Sequence, residues 1–177
     1  PMARALVWSG LWHMTRDGVL PGRRFVDIVL RNVESEAGIA VVQNVLAQVR
    51  TTVNRYLDPA QREAAREQVS EAVWRFLGAA AAGSDHQLAF AYNAARFAGG
   101  DGDHAKLRAL LSGDLAFDGL AVDQDLRWEI IDALAAGGQD DDAALADAEA
   151  ARDDTAAGRR HQAAARAARP LAEAKAE

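Results

Sequence analysis

The chain has no cysteine among its 177 residues. Disulfides and thiolate metal sites are therefore excluded, as a reducing compartment allows. Proline is scarce, and Pro21 and Pro59 stand where a helix begins, the position that tolerates a missing N–H. The four histidines are His13, His86, His104 and His161. No two share a helical turn, so the zinc pattern of two imidazoles and a carboxylate on one helical face is missing. Basic residues are outnumbered, 20 Lys and Arg against 26 Asp and Glu for a net charge of −6. With no basic stripe to release counterions, nucleic acid is excluded as a partner. No apolar run has the length to span a bilayer, and the first residues lack the layout of a signal peptide. The chain is expected to be soluble and cytoplasmic, without a membrane partner.

Half of the residues are hydrophobic, and their spacing decides the fold class. Val7, Trp8, Leu11 and Trp12 fall on one helical stripe, with Ser9, His13, Arg16 and Asp17 on another. The stripe is expected to face inward and His13 to be solvated. Val26, Val29, Leu30 and Val33 repeat the pattern after Pro21. The stretch "IAVVQNVLAQVRTTVNRYL" has strand-favouring valines and threonines. Its apolar positions Val42, Val45, Leu46, Val49, Val53, Tyr56 and Leu57 nevertheless keep helical spacing, so a helix is predicted. "DPAQ", Asp58 to Gln61, is a helix start with Asp as N-cap and Pro at the first position. "SDHQ", Ser84 to Gln87, repeats that capping logic ahead of "LAFAYNAARFA", which is apolar nearly all round and predicted to be central. Gly99-Gly100-Asp101-Gly102 breaks that helix and leaves His104 in a loop before a short helix around Leu107, Leu110 and Leu111. "VDQDLRWEIIDALAAGG" turns Leu126, Ile130, Ile131 and Leu134 inward. Two alanine-rich helices are expected at Asp141 to Arg152 and Thr155 to Arg169, followed by a frayed tail after Pro170.

The expectation is an all-α fold, an antiparallel array of about nine or ten helices joined by short loops. It forms one helical domain over residues 1–177, with a less stable alanine-rich end from about 139, because alanines bury little apolar area. The helix–turn–helix rhythm is that of an α-solenoid, without a fixed repeat.

The chemistry-bearing motifs fail one by one. "DGDHAKLRALLSGD" has acidic residues where a calcium loop starts, but places Ala105, Lys106 and Ser112 where that loop needs a ligand, glycine and glutamate. No Walker A, no G-x-G-x-x-G after a strand and no G-x-S-x-G elbow occur. The run Asp140-Asp141-Asp142 reads as favourable charge at a helix N-terminus. No catalytic, cofactor-binding or metal-binding residue is assigned.

Several stretches together resemble the C-terminal helical region of actinobacterial aminopeptidase N. They are "RALVWSGLWHMTRDGVLPGRRFVDIVL", "GIAVVQNVLAQVRTTVNRYLDP", "GSDHQLAFAYNAARFA", "LAVDQDLRWEIIDALAAGG" and "ARDDTAAGRRHQAAARAARPLAEAKA". The resemblance implies a family of zinc metallopeptidases that remove N-terminal residues from peptides. It also implies that zinc and catalysis reside in an upstream domain bearing H-E-x-x-H and G-x-M-E-N, neither of which is present here. The family's C-terminal domain is a HEAT-like superhelix that caps the chamber over the catalytic domain and restricts access of peptides. Arg127 and Trp128 are then candidates for the chamber wall, Arg for a peptide carboxylate and Trp for apolar area. The plainer reading makes Arg127 an ion-pair residue and Trp128 packing. The resemblance also implies that this chain is a truncated piece of the domain, with Trp8 and Trp12 beside a cut edge where self-association or a dimer contact is expected. The alternative function is a free-standing solenoid adaptor for a protein or peptide partner.

Overall fold

The computed structural model describes residues 2–138 and 142–170, and the side chains of Met2 and Asp142 lie outside that description. Asp140, Asp141 and the segment after Pro170 fall outside the described residues, so the acidic run and the frayed tail are not tested. Among the described residues there is no strand, and nine α-helices account for most of the chain. The all-α expectation holds. The helices divide between two compact units, residues 1–97 and 98–177.

The first unit holds α1 (Met2–Arg16), α2 (Gly22–Asn32), α3 (Ile39–Thr51), α4 (Pro59–Ala79) and α5 (Asp85–Phe97). Pro21 directly precedes α2, and Pro59 is the first residue of α4. There the Asp58 carboxylate accepts from the Ala60 N–H at 2.9 Å. The valine-rich stretch is helical, as its period requires, and Val42, Val45, Leu46, Val49 and Val53 are buried. It ends differently from a plain helix. Thr52–Tyr56 widens into a π turn, which leaves Tyr56 exposed while Leu57 stays buried. Helix α5 packs on α4 and α3 and buries residues around most of its circumference, Phe90, Ala91, Asn93, Ala94 and Phe97 among them. Its start is fixed by Ser84, whose Oγ accepts from the Gln87 N–H at 3.1 Å, while Gln87 Oε1 accepts from the Gly83 N–H at 2.8 Å.

One stripe needs correction. Trp8 is buried, but Val7 and its neighbour Leu6 are more than half exposed, and Leu11 and Trp12 are intermediate. Helix α1 packs mainly against α2 and α3, which leaves the Leu6 and Val7 side of its stripe exposed.

The second unit holds α6 (Asp101–Ser112), α7 (Gln124–Gly137), α8 (Asp142–Arg152) and α9 (Ala156–Ala168). Here the glycine-rich stretch is helical from Asp101, so His104 lies in a first helical turn and not in a loop. Asp101 and Asp103 in that turn favour a helix start through the dipole, which outweighs the poor propensity of Gly102. Leu126, Ile130, Ile131 and Leu134 point inward as expected. The core joining α7, α8 and α9 is built from Trp128 and Ile131 against Ala135, Ala146 and Ala165. Three alanines let the backbones approach closely, so Trp128 supplies much of the apolar area that holds these helices together.

Candidate functional site

Arg127 leaves α7 one turn after the N-cap Asp123, whose carboxylate accepts from the Leu126 N–H at 2.9 Å. Its guanidinium grips Glu149 of α8, with Nε donating at 2.9 Å and a terminal nitrogen at 2.6 Å. The other terminal nitrogen donates to the Leu111 carbonyl at 3.1 Å, and Gln124 Nε2 donates to Glu149 at 2.8 Å. Glu149 is almost wholly buried. Burial by itself would raise its carboxyl. The hydrogen bonds from Arg127 and Gln124, with the charges of Arg127 and Arg152, overcome that and hold it below the ordinary range. This is a charge-assisted fork of the strong kind.

Beside the pair lies an open cleft of about 700 Å³ between α6, α7 and α8, lined by Arg108, Leu111, Asp114, Arg127, Leu145 and Arg152 among others. Arg127 faces it with each guanidinium nitrogen already hydrogen-bonded at least once, whereas Arg152 is largely exposed and leans on Glu149 at 4.0 Å. Trp128 is not on a surface at all. It is 1% exposed, and its indole N–H donates to Asp153 at 2.8 Å. The two neighbours in sequence thus have opposite tasks: Arg127 at a cleft, Trp128 in the core.

In the first unit the Trp8 indole N–H donates to Glu36 at 3.1 Å, and Arg4 pairs with the same carboxylate at 3.2 Å. The Trp8 hydrogen bond is the main reason the Glu36 carboxyl lies below its usual range. A second cleft of about 410 Å³, lined by Arg4, Val7, Trp8, Leu11, Ile28 and Asn32 with Ser35, opens beside it. Trp12 is half-buried against Phe25 and Tyr56, with ring centroids 5.8 and 6.0 Å away. The tryptophans named for an edge therefore differ. Trp8 is closed off by its carboxylate, and the exposed apolar residues are Leu6, Val7, Met14, Val19 and Tyr56.

The histidines stay apart. His13 is exposed, and His86 Nε2 lies 2.9 Å from the Glu36 carbonyl. His104 is buried against Gly137, where a methyl group would meet its ring, and His161 stacks on Trp128. Among the described residues no three metal-ligating side chains gather, so these residues do not fit a zinc ion. No helix among them is long and apolar enough to cross a membrane.

Among the described residues these elements make an all-helical domain. The particular one is the ERAP1-like C-terminal domain, the family to which the chain belongs: its family model matches residues 1–177. The chain is 46% identical over 176 residues to "Aminopeptidase N" of Streptomyces lividans, which covers 99% of this chain and 20% of that protein. It thus spans about a fifth of that relative's length. The family expected from the sequence is the one found, and the adaptor reading has no support in these likenesses.

Proposed function

We propose that this chain serves as part of the non-catalytic C-terminal helical domain of an aminopeptidase N, capping the active-site chamber and restricting which peptides reach it. The observation that carries this reading is the 46% identity to an aminopeptidase over 99% of the chain, joined to a C-terminal-domain family match over every residue. In this reading the parent protein is a cytoplasmic zinc metallopeptidase. Its zinc sits in a catalytic domain of the same polypeptide, the principal partner of this chain, and peptides are its substrates.

The two clefts have the character such a role needs. The cleft beside Arg127 combines Leu111 and Leu145 with Arg108 and Arg152, a mixture suited to an apolar residue next to a carboxylate. Arg127 serves it as a fixed wall rather than a mobile clamp, and Trp128 serves by packing behind that wall. The exposed apolar face of α1, at Leu6 and Val7, supplies a contact for the rest of the polypeptide or, without it, for self-association. Residues 1–177 act together as part of one larger domain, with the alanine-rich end from about 139 the least stable.

The test is to compare the full-length parent peptidase, intact and without this region, on a ladder of peptides of increasing length. The reading expects the intact protein to discriminate against long peptides and the shortened one to lose that discrimination while still cleaving short aminoacyl substrates. Unchanged length preference in a folded, active, shortened protein would overturn it. So would release of product from aminoacyl-nitroanilides by this chain alone with zinc, above a metal-only control.

A further inference from the structure

His161 of α9 lies flat on Trp128 of α7, with ring centroids 5.3 Å apart and planes at 14°. Its Nδ1 is 3.9 Å from an Asp132 carboxylate oxygen, too long for a hydrogen bond but close enough for charge to matter. The other Asp132 oxygen is buried without a hydrogen-bond partner. Beneath the stack, the Trp128 indole is tied to Asp153 in the turn between α8 and α9. Asp153 also accepts from Thr155 Oγ1 at 2.7 Å. A single imidazole is therefore held between an aromatic face and two carboxylates, on the contact that seats α9 on α7.

We infer that this cluster makes the seating of α9 an acid-strengthened contact: proton uptake at Asp132, beside His161, tightens α9 on Trp128, and proton loss loosens it. Several of the neighbouring charges are engaged elsewhere. Around the cluster, α7 contributes Glu129, which opposes ionisation of Asp132, and the turn contributes Asp153 and Asp154. Asp154 is engaged by Arg159 of α9. On α8, Asp147 is occupied by Arg166 and Gln162, and Glu149 by Arg127. On α6, Asp103 pairs with Lys106, and His104 lies against Gly137, five residues along from Asp132. His161 is the ring that both stacks on Trp128 and approaches Asp132.

The sign follows from the protonation states. With Asp132 ionised, a half-buried carboxylate has one oxygen without a donor, which is unfavourable. A proton on Asp132 removes that state. Burial, opposed by His161, raises the Asp132 carboxyl to about 6. A raised carboxyl stabilises the fold below its unfolded value and loses that contribution as pH rises through 6, so the contact is tighter at pH 5.5 than at pH 8.

Hydrogen exchange of the α9 amides at these two pH values, corrected for intrinsic exchange, tests the inference, with the helices of residues 1–97 as internal control. We expect α9 to be about threefold or more better protected at pH 5.5. Asp132→Asn should abolish most of that difference while holding α9 near its acid level at both pH values. Indole N–H chemical shifts of Trp128 should titrate in the same range, and Asp132→Asn should remove that titration. Equal protection of α9 at both pH values, or a full response surviving in Asp132→Asn, would overturn the proposal. Because Asp132 is over a third exposed, the asparagine variant can solvate its amide, and an unchanged control region certifies the fold. The outcome does not depend on the peptidase reading.

Discussion

Arg127 and Glu149 form a fork closed at 2.6 and 2.9 Å that locks α7 to α8 at the edge of the largest described cleft. Removing one partner strands the other, and the penalty falls on the carboxylate, which is far more deeply buried than the guanidinium. Arg127→Ala is expected to cost about 3 kcal/mol, near the figure for breaking a buried pair. Arg127→Met combined with Glu149→Leu should cost clearly less than the sum of the two single changes. Urea unfolding of the unsubstituted chain, Arg127→Ala, the two single changes of the cycle and the double variant measures both.

Acid should reveal the same carboxylate. Glu149, Asp147 and Asp153 all lie below their ordinary ranges. For Asp147 and Asp153 the lead cause is a side-chain hydrogen bond, from Gln162 and from Thr155 respectively. Groups shifted this way stabilise the fold above the unfolded value, about 4 for a carboxylate, and lose that contribution as pH falls through the folded value. Thermal unfolding should therefore show Tm falling steeply below about pH 4. Glu149→Gln should flatten that limb, and an unchanged limb would remove Glu149 from the explanation.

Glycines separate by their surroundings. A methyl group at Gly158 would run into the Asp153 carbonyl and carboxylate, whereas one at Gly10 meets nothing within 4 Å. Gly10 lies inside α1, so Gly10→Ala should stabilise by about 0.5–1 kcal/mol through helix propensity. Gly158→Ala should destabilise by about 1–3 kcal/mol through overpacking and strip protection from α9 first. Opposite shifts in the chemical midpoint are the expected result.

Trp8→Phe keeps a ring in place and deletes the donor to Glu36. The expected loss is about 1–2 kcal/mol, with the Glu36 carboxyl rising toward its ordinary value. Carboxyl NMR titration of the two proteins reads that rise directly.

The exposed apolar pair on α1 should behave differently. Leu6→Ser with Val7→Ser is expected to change stability by no more than about 0.5 kcal/mol per site. It should also lower the binding of a hydrophobic dye and the tendency to self-associate, measured by sedimentation at increasing concentration. Unaltered dye binding would show that this face is not the exposed surface that matters.

Period and punctuation were enough to read the helices. The stripe Leu126, Ile130, Ile131 and Leu134, the caps at Asp58 and Ser84 and the helical spacing of the valine-rich stretch are local signals, and local backbone physics decides them. The exceptions are informative. Gly99, Gly100 and Gly102 signal a loop at His104, whereas Asp101 and Asp103 sit in the first turn of α6, where their value is electrostatic and not apparent from propensity. Val7 and Trp8 share a stripe by spacing, but only packing against α2 and α3 determines that one is buried and the other is not.

The partnerships were out of reach for a different reason. Glu149, Asp153 and Asp132 are unremarkable acids in a charged, alanine-rich stretch, and their partners Arg127, Trp128 and His161 lie 22, 25 and 29 residues away. Hydrogen bonds bridge the first two separations, and a 3.9 Å approach bridges the third. Periodicity carries no information across such distances. The sequence by itself determined an all-helical, cysteine-free chain and the family it belongs to, because helix spacing and motif order are written residue by residue. Only the tertiary structure decided that Arg127 is tied to Glu149 beside a cleft, Trp128 is a core residue and His161 is stacked on it, because burial and charge pairing arise where separate helices meet.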